Sequence, residues 1–170
     1  MERGCRNYET DATSRRIEQL ERRALQGSLD AAHVQAIHRY IFQDVYSWAG
    51  EFRTVGISRL DRSPSVNRSS PVCTGFTRNS CGSATWQNSV GTSSLAAPRI
   101  IWASSMRFTP FAEGNGRTQR EYIRQLAARC GHRLGWAPVT HEQMYAASVL
   151  SFRRGDNSDF ERILFEALET

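Results

Sequence analysis

The sequence predicts a mainly α-helical domain, a helical bundle with a small β-hairpin flap, on three observations. Val34, Ile37, Ile41 and Val45 recur at helical spacing within residues 30–46, behind Asp30, a residue type that caps helices. A second amphipathic run over 118–129 carries Tyr122, Ile123, Leu126 and Ala127, and Gly131 follows as a helix stop. Thr140 and Gln143 stand at the spacing of a reciprocal capping box, ahead of Met144, Ala147 and Leu150.

The remaining elements follow the same logic. Ile17, Leu20 and Ala24 mark a shorter helix upstream. Ser158 or Asp159 can cap a final helix bearing Ile163, Leu164 and Leu168. Residues 51–58 have β-branched character and suit one arm of a hairpin. At 170 residues the chain reads as a single domain over 1–170, long enough to bury a core.

Composition narrows the function classes. The start, Met1-Glu-Arg-Gly-Cys-Arg, is polar, and no apolar run approaches the roughly 18 residues of a membrane span. A cytoplasmic protein without a membrane partner is expected, and an effector exported by another route would look the same. Cys5, Cys73, Cys81 and Cys130 form no CxxC pair and no zinc spacing, so they read as free thiols. The net charge is +5, and all 22 basic residues are arginine. Residues 60–109 hold Arg62, Arg68, Arg78, Arg99 and Arg107 against Asp61, a local +4 that leaves +1 for the rest. Basicity confined to one segment argues against a nucleic-acid partner.

That middle segment has a different texture from its flanks. It carries eleven serines, scattered Gly, Pro, Asn and Thr, and almost no acid. No periodicity appears before Ile100-Ile101-Trp102. An irregular middle is expected, and on composition alone it reads as a long insertion.

The stretch Phe111-Ala-Glu-Gly-Asn-Gly-Arg-Thr-Gln-Arg120 carries the chemistry. Gly114, Asn115 and Gly116 can form a tight turn with inward N–H groups, ahead of a helix beginning near Arg117. A helix N-terminus behind a glycine turn attracts anions through its free amides and its dipole. Arg117 and Arg120 share a helix face and can both reach a polyphosphate. Glu113 sits where a carboxylate can hold Mg²⁺ bridging phosphates. The plain alternative is a helix cap with two solvated arginines.

The full stretch resembles the Fic signature, H-x-F-x-[D/E]-G-N-G-R-x-x-R, at Phe111, Glu113, Gly114, Asn115, Gly116, Arg117 and Arg120. Residues 36–55, from Ala36-Ile37-His38-Arg39 through Tyr46-Ser47-Trp48-Ala49-Gly50 to Val55, resemble the helix and turn leading to that family's hairpin flap. Residues 119–126 resemble the helix after its loop. The likeness covers most of 13–59 and 110–170.

The resemblance implies a Fic-type bundle and a protein adenylyltransferase, which moves AMP from ATP onto a Ser, Thr or Tyr hydroxyl of a target protein. A histidine at the position of Thr109 would take the hydroxyl proton. Glu113 would bind Mg²⁺. Gly114, Asn115 and Gly116 would cradle phosphates, with Arg117 and Arg120 neutralising their charge and Asn115 and Arg117 joining the catalytic set. The flap residues Thr54, Val55, Gly56 and Ile57 would align the target by strand pairing. Family members are often restrained by an inhibitory [S/T]-x-x-x-E-[G/N] helix, in cis or on an antitoxin. Outside the signature loop itself, where Thr109 to Gly114 fits the pattern by letter, no match occurs in this chain, and Ser158-Asp-Phe-Glu161 has the wrong spacing, which leaves room for a separate antitoxin partner. Among other residues, His38 reads as a hydrogen-bonded packing residue and Trp48 as a core anchor. His132 and His141 read as surface residues, and His33 has no evident partner.

Thr109 departs from the signature. A threonine hydroxyl is no base near neutral pH, and loss of general-base assistance costs about 10²–10⁴-fold. As written the chain is therefore a slow transferase or a catalytically inactive nucleotide- or protein-binding module. The genetic code offers a further reading. Codons formed from the last base of one residue and the first two of the next let residues 101–110 encode Met/Leu-Gly-Glu-Leu-Asn/Asp-Ala-Ile-His-Pro, with the histidine at the Phe108–Thr109 junction. That string is similar to what family members carry ahead of Phe-x-Glu-Gly-Asn-Gly-Arg. Near Asp61-Arg62 the same shift permits Gly-Ser, similar to the flap's Gly-Gly-Ser. Residues 60–109 thus read as translated one base out of frame, which would replace a helical layer and half the flap and leave marginal stability.

Overall fold

The computed structural model describes residues 2–54, 110–129 and 131–169. Five helices lie within them: α1 (Glu2–Arg22), α2 (Ala31–Phe42), α3 (Asn115–Arg129), α4 (His141–Arg154) and α5 (Ser158–Ala167). Two short strands, β1 (Arg133–Leu134) and β2 (Leu168–Glu169), pair antiparallel with Arg133 opposite Glu169 and Leu134 opposite Leu168. The expected irregularity of residues 60–109 lies outside the described residues.

Each helix is bounded by local chemistry. Asp30 caps α2, its carboxylate accepting from the His33 amide at 2.9 Å. The helix ends at Phe42, so Val45 lies beyond it and only half-buried. At the end of α3 the Gly131 amide donates to the Ala128 carbonyl (3.1 Å) and the His132 amide to that of Ala127 (3.0 Å). This pair of bonds closes a helix on a left-handed residue, and Gly131 has φ +84°. Thr140 and Gln143 form the expected capping box of α4, and Gly155 closes that helix at φ +70°.

Three sequence expectations need correction. The first helix is longer than expected and stops before Ala24; the apolar contacts beyond it come from Leu25 and Leu29. Asn157, with no side-chain cap bond, occupies the N-cap of α5, and the adjacent Asp156 carboxylate accepts from the Ser158 amide at 3.0 Å. Leu168 leaves that helix because its backbone turns extended to pair with Leu134.

The core forms where α2 crosses α1 and α3. Leu20 from α1, Ile37, Ile41 and Phe42 from α2, and Tyr122, Ile123 and Leu126 from α3 are buried there. Burying each such large apolar side chain stabilises the fold by roughly 1.5–3 kcal/mol. Phe160, Ile163 and Leu164 of α5 pack with Met144 and Ala147 of α4 to extend the same cluster. Of the expected hairpin arm, residues 51–54 are described and are not a strand; the Arg53 amide instead donates to the Pro110 carbonyl at 2.8 Å.

Candidate active site: the loop ahead of α3

Pro110 and Phe111 are buried, and the chain turns outward at Ala112 and Glu113 before diving in at Gly114. Gly114 has φ +76°, and a Cβ there would collide with the Phe42 ring. Both the backbone conformation and the space therefore demand glycine. Gly116 differs: a Cβ there meets nothing within 4 Å, so open space lies over it.

α3 starts at Asn115, two residues earlier than the sequence suggested, and its first intrahelical bond runs from the Thr118 amide to the Gly114 carbonyl at 3.1 Å. The amides of Asn115, Gly116 and Arg117 precede that bond and carry the positive end of the helix dipole. The Asn115 side chain turns inward, accepting from the Phe111 amide and donating to the Phe111 carbonyl, both at 2.9 Å. Its side chain thus braces the loop from within.

The two signature arginines behave differently. Arg117 pairs with Glu9 of α1 at 2.6 Å, donates to the Thr13 hydroxyl at 3.1 Å, and lies 4.6 Å from the centroid of the Phe42 ring. Arg120 is half-buried and has no carboxylate partner among the described residues. Burial first, and the neighbouring Arg117 charge second, hold its guanidinium below its ordinary pKa. A desolvated cation beside a second cation is an arrangement that an anion relieves. Glu113 is exposed at the mouth of the loop, one carboxylate oxygen accepting from the Gly114 amide at 3.1 Å. Among the described residues no cluster of three or more His, Cys, Asp or Glu could cage a metal. A single exposed carboxylate is nevertheless compatible with Mg²⁺, which is usually held by one or two carboxylates plus substrate phosphates.

Behind the loop sits His38, fully buried. Its ring stacks on Phe111 at 3.8 Å between centroids and neighbours Phe42 at 4.6 Å. Burial pushes its pKa down to about 4, and the nearby Arg117 charge adds to that against an opposing hydrogen bond to Glu113. The packing role expected of His38 holds. Trp48, expected as a core anchor, is only half-buried and stacks on Tyr46 at 4.4 Å. His33 does have a partner: its Nε2 lies 3.0 Å from Gln125 Oε1 in a buried contact 92 residues away in sequence. His141 is exposed, and His132 is half-buried.

Thr54 is exposed at the edge of the described segment. Val55, Gly56, Ile57 and Thr109 lie outside the described residues. Glu9 and Thr13, one helical turn apart on α1, are the site neighbours that sequence reasoning missed, because nothing local signals a partner more than a hundred residues away.

Comparison with known proteins bears on the same loop. The Fic/DOC family model matches residues 28–127. The protein adenylyltransferase VbhT of Bartonella schoenbuchensis is 30% identical over 139 residues, covering 79% of this chain and 28% of that protein. A probable protein adenylyltransferase of Sinorhizobium fredii, y4lH, is 31% identical over 134 residues, covering 74% and 67%. The chain spans 28% and 31% of the lengths of two Bartonella relatives it matches. Among solved structures, the N-terminal Fic domain of a putative cell filamentation protein from Bartonella quintana with bound ADP superposes with TM-score 0.75 at 18% identity, covering 98% of this chain and 86% of that one. The BepC protein of Bartonella tribocorum with bound AMPPNP gives 0.74 at 16% identity, covering 98% and 87%. Both structural matches share the helical fold described above.

Proposed function

Because the chain belongs to the Fic/DOC family, we propose that it is a domain of the protein adenylyltransferase type, built to move AMP from ATP onto a Ser, Thr or Tyr hydroxyl of a target protein. One observation carries this reading: Arg120, half-buried and without a carboxylate partner among the described residues, lies in the second turn of α3 close enough to Arg117 to feel its charge. The nucleotide-bound Fic domains of similar fold support a nucleotide as the anion.

In this reading the amides of Asn115, Gly116 and Arg117 face the phosphates, Gly116 lets the ligand approach the backbone, and Gly114 makes the turn that presents them. Arg120 binds phosphate directly, while Arg117 adds positive charge from its pair with Glu9. Asn115 keeps the loop in shape. Mg²⁺ held at Glu113 would neutralise phosphate charge. Residues 54–57 align the target segment. The acceptor oxygen attacks the α-phosphorus, the bond to the β-phosphate oxygen breaks, and pyrophosphate leaves. Thr109 offers no base for the hydroxyl proton, which then goes to water, and the transfer is slow.

Thr109 also favours a second reading, a catalytically inactive module that only binds nucleotide or a protein partner. Binding of a fluorescent ATP analogue with Mg²⁺, followed by labelled-ATP transfer before and after Thr109→His, separates the two. The transferase reading expects saturable binding, its loss in Arg120→Ala, and a gain of about 10²–10⁴ in labelling from Thr109→His. Binding with continued silence in Thr109→His selects the inactive module, and absence of binding overturns both nucleotide readings. The out-of-frame reading of 60–109 has its own test in the coding DNA: an uninterrupted frame, with no compensating single-base changes near codons 60 and 110, removes it.

A further inference from the structure

The ring of His38 joins two chain segments, at Gly50 and Glu113, that lie far apart in sequence. Its Nε2 lies 3.1 Å from the Glu113 carbonyl oxygen, and its Nδ1 lies 2.8 Å from the Gly50 amide. The Gly50 N–H can only donate, so Nδ1 is the acceptor and the proton sits on Nε2, donating to Glu113. The ring stacks against Phe111 at 3.8 Å and neighbours Phe42 and Trp48 at 4.6 and 5.8 Å.

No other side chain supplies this combination. A flat aromatic surface is needed for the stack, with an acceptor on one edge and a donor on the other. Phenylalanine would pack but strand the Gly50 amide and the Glu113 carbonyl. Gly50 is itself a pivot, at φ +87°, and its carbonyl accepts from the Gln35 side chain at 3.1 Å. Three residues on, the Arg53 amide donates to the Pro110 carbonyl at 2.8 Å. Segment 50–53 and segment 110–113 are therefore tied at both ends, once by His38 and once by Arg53.

We infer that His38 is a positioning residue: it sets the loop ahead of α3 against the turn at residues 50–53, so that the nucleotide site keeps one geometry. The inference rests on the nucleotide site proposed above. It makes a distinction that simple core packing does not. Asparagine can keep the Gly50 bond but cannot reach Glu113, whereas glutamine can keep the Glu113 bond and loses Gly50.

The test compares His38→Asn with His38→Gln in the full chain by amide hydrogen exchange, ATP affinity and thermal melting. In His38→Asn, exchange should quicken at 112–114 and ATP affinity fall about tenfold, the effect of one hydrogen bond of about 1.4 kcal/mol. In His38→Gln, exchange should quicken at 50–52 while ATP affinity changes less than about threefold. Equal losses in both variants, tracking melting temperature alone, would overturn the inference. The exchange pattern is read without nucleotide, so a chain that fails to bind ATP refutes the proposed function and still decides the tie. If neither variant folds, the ring ¹⁵N shifts of the unmodified protein decide: an Nε2–H neutral tautomer supports the tie, and an Nδ1–H tautomer overturns it.

Discussion

The two ends of α3 are built from similar parts and serve opposite purposes. Each end is marked by a glycine at positive φ and carries an arginine paired with a glutamate. At the C-terminal half the pair is closed in: Glu121 is 2% exposed and Arg124 14%, with the carboxylate also accepting from Gln125 at 2.7 Å. Gln125 reaches His33, and Arg124 reaches the Leu20 carbonyl, so one buried network ties α3 to α2 and α1. At the N-terminal end Arg117 and Glu9 are each 25% exposed, and the amides above them have no helical partner. The closed end spends its polar groups on the fold, and the open end leaves its ion pair partly solvated.

Removing one acid from each end tests that contrast most strongly. Glu121→Ala strands a buried guanidinium and should cost about 3–5 kcal/mol in urea unfolding. Glu9→Ala breaks a partly solvated pair and should cost at most about 1 kcal/mol. Comparable losses at the two sites would dissolve the distinction.

The glycines divide in the same way. Gly114→Ala meets both an unfavourable left-handed backbone and the Phe42 ring, for a combined loss of about 2–5 kcal/mol. Gly131→Ala meets nothing within 4 Å and pays only the backbone term, about 1–2 kcal/mol. Melting temperatures of the two variants give the ranking directly, and a costlier Gly131→Ala would reverse it.

Much of this was legible in the sequence, for physical reasons that differ by residue. Asp30, Gly131 and the pair Thr140 and Gln143 announce their roles because capping is a bond between near neighbours. The glycine at the head of the signature loop was legible because a tight turn needs a positive φ, and Gly114 has +76°. The inward turn of Asn115 was not, since its partner, the Phe111 backbone, becomes reachable only once the loop folds. Likewise the partners of Arg117 and His33 lie 108 and 92 residues away. Tertiary pairing over such spans leaves no local pattern, and so Arg117 read as a bare phosphate ligand when the fold gives it Glu9 first.

The buried His38 adds a pH dependence located at the open end. Its pKa lies at about 4 in the fold against 6.5 for an ordinary histidine. The unfolded ring therefore binds a proton in a range where the folded ring does not. Stability is fully present above about pH 6.5 and is lost as pH falls toward 4, by roughly 2–3 kcal/mol at about 1.4 kcal/mol per unit. Thermal melts from pH 7.5 to 4.5 should show this slope in the unmodified chain and a shallower one in His38→Gln. Parallel slopes would place the titrating group elsewhere.

The smallest effect expected is the most specific to the open end. Glu9 neutralises Arg117 at 2.6 Å, so a polyphosphate arriving at the α3 amides competes with a carboxylate for that cation. Glu9→Gln keeps the side-chain size and a hydrogen-bond acceptor while removing the charge. Arg117 then offers its full charge to the ligand, and ATP should bind about two- to fivefold tighter, the scale of a partly exposed ion pair. The gain should shrink in high salt, as partly solvated charges are screened there. Unchanged or weaker binding in Glu9→Gln would mean that the α1 contact orients Arg117 for the nucleotide, and the open end would then be preorganised by α1 rather than held in competition with it.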